Sequence, residues 1–235
     1  HYPLRRQRQM CIRDRITEGY GLSEAGPMVS ANKLWGYREP GYLGTPGPSI
    51  DWEIFDMEDF SKGPVPIGEK GEICVSGPNV MLGYWQDPET SAKVLREYDG
   101  RTWLLTGDIG IMEEHGRVQI IDRKKQIIKI SGRLVFPSEI ENEIGQHPLV
   151  KEVAVASVPD QRTGEAAKAW IVIKEEGKGT LTSEKLRNWL NQNIAEFKVP
   201  KHIEFVEDIP KTAAGKIAHR TLQEQDPLWV KINNG

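Results

Sequence analysis

The chain has 235 residues, 38% of them hydrophobic, and a formal net charge of −3 at pH 7. That length holds one large or two ordinary domains with real cores, and no apolar run approaches the roughly 20 residues needed to span a bilayer. Residues 1–15 carry five arginines and one acid, leaving 26 basic against 33 acidic residues in the remainder; at about −7, that remainder is no general nucleic-acid surface.

The first fifteen residues, HYPLRRQRQMCIRDR, show neither apolar periodicity nor a helix cap. A basic arm for nucleic acid or membrane, part of a transit peptide and a segment foreign to the protein all remain open. The third is preferred, because QMCIRDR resembles a translated sequencing adapter. The two cysteines, Cys11 and Cys74, have no metal-ligand spacing and no disulfide pattern, as in a reducing, cytoplasmic setting.

Thr17–Glu24 reads TEGYGLSE, which taken alone is an ordinary glycine-rich loop. From Gly41 onward short alternating runs are separated by Gly and Pro. Ile50, Trp52 and Ile54 share one strand face, and Ile73 and Val75 share another, the pattern of a small antiparallel sheet or barrel. Gly71–Gly77 reads as a core strand. Trp103–Gly110 is an apolar run expected to stop at Thr106-Gly107-Asp108. Glycine would let the backbone turn there so that Asp108 projects from the strand end, and a carboxylate can grip a vicinal diol; the plain alternative is a turn with a self-capping Asp. Glu113–Gly116 reads as an exposed hairpin tip, with Arg117–Ile121 as the return strand.

The charged knot Asp122-Arg123-Lys124-Lys125-Gln126 cannot be buried unpaired and belongs at a boundary. After it come a strand at Ile127–Ser131 turning at Gly132, then a helix at Ser138–Gly145 opened by a Ser-x-x-Glu capping box behind Pro137. Strands follow at Val150–Val158 and Ala169–Lys174, a helix at Thr182–Phe197 with a Leu186, Trp189, Leu190, Ile194, Phe197 stripe, and a strand at Ile203–Val206. The order β-α-β-β-α-β is that of a split βαβ sandwich with its helices on one face. The tail, IPKTAAGKIAHRTL, reads as a solvated loop entering a short helix, with Lys216 simply exposed. An RNA-binding sheet is disfavoured, since Phe205 has no paired aromatic platform.

Several of these stretches, in this order, resemble the motifs of the adenylate-forming enzymes, a family that includes acyl-CoA synthetases, luciferase-like ligases and peptide-synthetase adenylation domains. They are Tyr20-Gly21-Leu22-Ser23-Glu24, the Gly71–Gly77 strand, Thr106-Gly107-Asp108, the Asp122–Gln126 knot and Pro210-Lys211-Thr212 with Gly215-Lys216. The resemblance covers residues 16 to about 226. It implies a mixed α/β fold in which 16–122 is a β-rich, barrel-like remnant of a large domain, 123–126 a hinge, 127–226 a small C-terminal domain and 227–235 a tail. It implies that Tyr20 lies against adenine, that Gly21 belongs to the same nucleotide-binding loop, that Ser23 meets phosphate and Glu24 holds Mg²⁺, and that Asp108 with Arg123 holds the ribose of ATP. Lys216 would serve adenylation, Lys125 would be the pivot, and Lys129, near Gly132, would serve thioester formation with coenzyme A.

The implied activity is that of an ATP-dependent ligase joining a fatty or aryl acid to CoA; a free-standing module binding a carrier protein or nucleotide, or an adenylation domain for another acid, is the alternative. The expected partners are small molecules, not nucleic acid, and peripheral membrane contact is compatible with this. The family's phosphate loop and most of its acyl pocket do not occur in the chain, which suggests a truncated enzyme, inactive as it stands, with residues 16–40 poorly packed.

Overall fold

The computed structural model describes residues 17–33, 41–213 and 215–229. The reading of residues 1–15 as foreign therefore lies outside the described residues. The chain divides into two compact units between Lys124 and Lys125.

In the first unit a three-stranded ribbon joins β1 (Gly19–Tyr20), β2 (Ser30–Ala31) and β3 (Thr45–Pro46), each antiparallel to the next. The main sheet contains β4 (Asp51–Phe55), β5 (Lys70–Ser76), β6 (Leu95–Tyr98), β7 (Arg101–Met112) and β8 (Val118–Arg123). Its spine is β7, which lies against β5 along one edge and carries β6 and then β8 along the other. Alternation sorts the side chains as expected of strands. Trp52, Ile54, Ile73, Val75 and Leu104 form one core, and Phe55, Cys74 and Trp103 form a second cluster with Phe60 and Tyr98. Burial first, and then the charge of Glu72, raises the Cys74 thiol far above its usual range, so it is an inert core residue. A short helix, α1 (Pro88–Val94), escapes the sequence reading although Asp87 caps it by accepting from the Thr90 amide and Pro88 opens it.

Two expectations for this unit are overturned. The described part of 16–40 is packed: Tyr20, Ala25 and Val29 belong to the first core, because the β1–β2–β3 ribbon holds their apolar side chains against it. Nor does the strand stop at Thr106-Gly107-Asp108. Between the pairs Cys74↔Leu105 and Glu72↔Ile109, β7 has three residues where β5 has one, so the tripeptide bulges out of a continuous strand. Gly107, at φ +74°, supplies the left-handed residue the bulge requires.

The second unit is a five-stranded sheet of β9 (Ile128–Ile130), β10 (Arg133–Val135), β11 (Val150–Asp160), β12 (Gly164–Ile173) and β13 (His202–Phe205). β9 and β10 form a hairpin through Ser131-Gly132, both with positive φ, the signature of a tight I′-type turn. The sequence reading ends at that turn and misses β10, which at three residues is too short to show periodicity. The helices α2 (Pro137–Gln146) and α3 (Ser183–Asn193) bury Ile140, Ile144, Leu186 and Leu190 against Val153, Val155, Ala169 and Ile171.

The expected capping box is absent from the start of α2. Phe136 is the N-cap, Pro137 the first helical residue, and the Glu141 carboxylate accepts instead from the Val155 amide at 2.7 Å. The helices are also not confined to one face. A short C-terminal helix, α4 (His219–Gln225), and the segment before it place Leu222 and Ile209 on the opposite face, against Ala154, Ala156, Val158 and Trp170. The reason lies in β11 and β12, which are apolar on both faces and therefore demand two covers. A buried Lys168, paired with Asp226 and, at 2.6 Å, with Glu204, ties the end of that second cover to the sheet.

Candidate active site

The first unit brings three residues of the sequence reading together from distant positions. Asp108, only 5% exposed, sits in the bulge; one carboxylate oxygen accepts from the Tyr20 hydroxyl at 2.9 Å and the other meets Arg123 Nε at 3.0 Å. The β7–β8 register sets Arg123 directly opposite Asp108, while its guanidinium remains 68% exposed. An ionised carboxylate has about four acceptor positions, so each oxygen keeps one for hydroxyls of a ligand. Tyr20 is itself buried, and burial, with the neighbouring Asp108 charge second, raises its phenol far above the usual range. It is a protonated donor at any ordinary pH. The bulge is pinned from beneath: Thr106 Oγ1 donates to the Ile73 carbonyl at 2.8 Å and accepts from the Asp108 amide at 3.1 Å, while the Gly107 amide donates to Glu72 at 2.9 Å.

The Tyr20–Glu24 loop continues this surface. A Cβ on Gly21 would lie 1.7 Å from the Pro27 carbonyl oxygen, so only glycine fits. Ser23 and Glu24 form a single 3₁₀ turn closed by Gly26, with Ser23 exposed. Glu24 accepts from the Tyr84 hydroxyl at 2.9 Å, a hydrogen bond that leads in raising that phenol's pKa. No cluster of three or more metal-ligating side chains occurs among the described residues. A lone partly exposed carboxylate fits Mg²⁺, which is commonly bound through one or two carboxylates plus water and substrate phosphate.

The other three residues of the sequence reading belong to the second unit. Lys125 is exposed in the short turn Lys124–Gln126. Lys129 is exposed on β9, its amide donating to Glu165. Lys216 is exposed on a small loop closed by the Lys211↔Ile217 bridge and by Thr212, whose amide donates to the Lys216 carbonyl at 2.7 Å. Lys129 and this loop are not brought together. The loop is tied through Lys211 to Glu152, opposite Val172, and Lys129 to Glu165, at the other end of the β11–β12 ladder. Seven residue-to-residue steps along the strand separate those anchors, about 24 Å.

Two functional candidates escape the sequence reading. Glu72, 4% exposed among the buried residues of β5, holds both Gly107 and, at 2.6 Å, the Lys124 ammonium. Its signal is a charged residue where the strand pattern calls for an apolar one. His219, just beyond the lysine loop, has Nε2 at 2.8 Å from Glu141 and Nδ1 at 3.3 Å from the Gln126 amide nitrogen. Since the carboxylate can only accept, Nε2 carries the proton and Nδ1 accepts from Gln126. No local pattern could reveal a contact spanning that much sequence.

Residues 3–85 match the AMP-binding enzyme family, and residues 139–216 match the AMP-binding enzyme C-terminal domain. The chain belongs to the AMP-binding enzyme family. The family's first match contains the Tyr20–Glu24 loop and its second ends on Lys216, while Asp108, Arg123, Lys125 and Lys129 fall between the two spans. The chain is 45% identical over 212 residues to a long-chain-fatty-acid–CoA ligase of Bacillus subtilis, covering 90% of this chain and 36% of the relative. It is 41% identical over 203 residues to a feruloyl-CoA synthase of Amycolatopsis, covering 86% of this chain and 40% of the relative. The crystal structure of ATP-bound MatB from Rhodopseudomonas palustris superposes with a TM-score of 0.81 at 35% identity, over 89% of this chain and 40% of MatB. This AMP-binding family chain thus spans little more than a third of the length of these relatives. Its mixed α/β architecture with antiparallel sheets is that of adenylate-forming enzymes, and among the described residues no helix is long and apolar enough to cross a membrane.

Proposed function

We propose that this chain is part of an ATP-dependent acid–thiol ligase that converts a fatty or aryl acid first to an acyl-adenylate, with release of pyrophosphate, and then to its CoA thioester. The observation that carries the reading is the Tyr20–Asp108–Arg123 cluster, in which a buried carboxylate with free acceptor positions is oriented by two donors. Asp108 accepts from the ribose hydroxyls, and Arg123 supplies a donor and a charge beside them. Ser23 donates to a phosphate oxygen. Glu24 would hold Mg²⁺, whose contribution is to neutralise charge on the transferring phosphoryl group. Attack of the substrate carboxylate oxygen on the α-phosphorus forms one P–O bond and breaks the bond to pyrophosphate. Charge accumulates on oxygen, so a cation is needed more than a base, and Lys216 is that cation.

The thiol must next attack the acyl carbon, expelling AMP. The separation of Lys129 from the Lys216 loop favours a two-state cycle. The second unit turns about Lys125, withdrawing Lys216 after adenylation and offering Lys129 for thioester formation. Names of the relatives support the substrate class. The Bacillus protein is a long-chain-fatty-acid–CoA ligase and the Amycolatopsis protein a feruloyl-CoA synthase.

The test is a hybrid in which this chain replaces the matching portion of the Bacillus subtilis ligase, assayed for acid-dependent exchange of pyrophosphate into ATP. Exchange is expected, and Lys216→Ala should reduce it by about 10²–10³, the usual cost of removing one preorganised charge-stabilising donor. A folded hybrid whose exchange is indifferent to Lys216 would sink the reading.

A further inference from the structure

We propose that Glu72 is a positioning residue that ties the Asp108 bulge to the joint between the two units, so that one buried side chain fixes both the nucleotide-binding carboxylate and the near side of the pivot. The proposal deepens the reading of Asp108 as the ribose acceptor and rests on it. Glu72 stands on β5 between Gly71 and Ile73, both buried, where an apolar side chain would cost less to bury. What it gains there is two partners from different places in the chain. One oxygen accepts from the Gly107 amide at the centre of the bulge, and the other accepts from Lys124 Nζ at 2.6 Å. Lys124 is the last residue of the first unit.

The residue before it, Arg123, is also anchored to the bulge, through Asp108. Two consecutive side chains leading into the joint are therefore held by the same three-residue bulge, one directly and one through Glu72. Beyond the joint Gln126 is anchored within its own unit by His219, which follows the Lys216 loop. Exposed Lys125 stands between these anchors, which hold the side chains on either side of it. Those side chains reach back to Asp108 on one side and to the base of the lysine loop on the other. A purely structural glutamate would stabilise the unit without linking the bulge to Lys124.

The link can be tested in this chain without turnover. Trace acetylation with acetic anhydride, read by mass spectrometry, compares Lys124 with its free neighbour Lys125 in the same molecule. Amide exchange reports Gly107. In the wild type Lys124 should label at least about five-fold more slowly than Lys125, because its nitrogen is engaged by a buried carboxylate. Glu72→Gln keeps an acceptor for Gly107 but loses the ion pair, and should bring the two lysines to within about two-fold of each other. Lys124→Gln removes the charge facing Glu72 but keeps a side-chain amide that can donate to it, and its urea midpoint is measured alongside. It should speed Gly107 exchange several-fold while leaving exchange in β4 unchanged, and in the hybrid with the Bacillus subtilis ligase it should weaken ATP binding measured by calorimetry. If Glu72→Gln leaves the labelling ratio alone, or if Lys124→Gln accelerates Gly107 and β4 alike, the tie is overturned. If the hybrid with the Bacillus subtilis ligase binds no ATP, the ribose reading fails, whereas the labelling and exchange results still decide the tie itself.

Discussion

The two units carry their candidate residues in opposite ways. In the first, Asp108 is buried, oriented by Tyr20 and Arg123, and held by a bulge that Thr106 and Glu72 pin to the neighbouring strand. In the second, Lys125, Lys129 and Lys216 are exposed on turns and strand edges. Under the function proposed above, the contrast has a physical reason. A group that binds the same atoms throughout a cycle profits from preorganisation, while a charge needed in only one step must be able to leave, and desolvating it permanently would cost several kcal/mol. The second unit also holds a buried ion pair, in which Lys168 and Asp226 bind the C-terminal cover to the sheet.

That comparison sets the order of effects expected from substitution. The largest loss of stability should come from Asp226→Asn, which leaves the Lys168 ammonium short of its buried partner; removing one member of such a pair costs about 3–5 kcal/mol, readable as a lower midpoint in urea denaturation. Asp108→Ala should follow. It orphans the Tyr20 hydroxyl, costing about 1–3 kcal/mol, and it should also reduce ATP affinity in calorimetry, so that binding and folding fall together. Tyr20→Phe removes the hydroxyl but keeps the ring in the core. It should cost about 1 kcal/mol and weaken ATP binding less than Asp108→Ala does. Lys216→Ala, by contrast, should leave stability within about 0.5 kcal/mol of wild type, as exposed substitutions usually do. A large destabilisation by Lys216→Ala would break the distinction between built and unbuilt sites.

The smallest effect is on pH. Burial lowers the pKa of His147 and of His202 below the usual histidine value. Their neutral forms are favoured on folding, so the stability they contribute is intact above about pH 6.5, the unfolded value, and is lost as pH falls through the lower folded values. Urea midpoints at pH 7.5 and 5.5 should show the second unit weaker at the lower pH, and His202→Gln should narrow the difference. A second unit that grows more stable on acidification would contradict the assignment.

Much of this protein could be read from local pattern. The 3.6-residue stripe of Leu186, Trp189 and Leu190 places α3, and the alternation of Val153 and Val155 places β11, because periodicity is a property of the chain itself. The resemblance of Tyr20–Glu24, Thr106–Asp108, Asp122–Gln126 and Pro210–Lys216 to family motifs points to a nucleotide site and a joint before any coordinate is seen. The misreadings have a common cause. The capping box is a correct local pattern, but Glu141 satisfies the Val155 amide and His219 instead. Asp108 does not end a strand, since the glycine that allows a turn equally allows a bulge when β5 continues alongside.

What the sequence determined by itself is which segments pair apolar faces and which carry the motif residues, since both are written in spacing and residue type. Only the tertiary structure decided that Tyr20, Asp108 and Arg123 meet, that Glu72 joins the bulge to Lys124, and that the second unit's sheet is covered on both faces. Each depends on a partner dozens of residues away. Such partners are selected by the burial of polar groups that must be satisfied and of apolar faces that must be covered, which no local window contains.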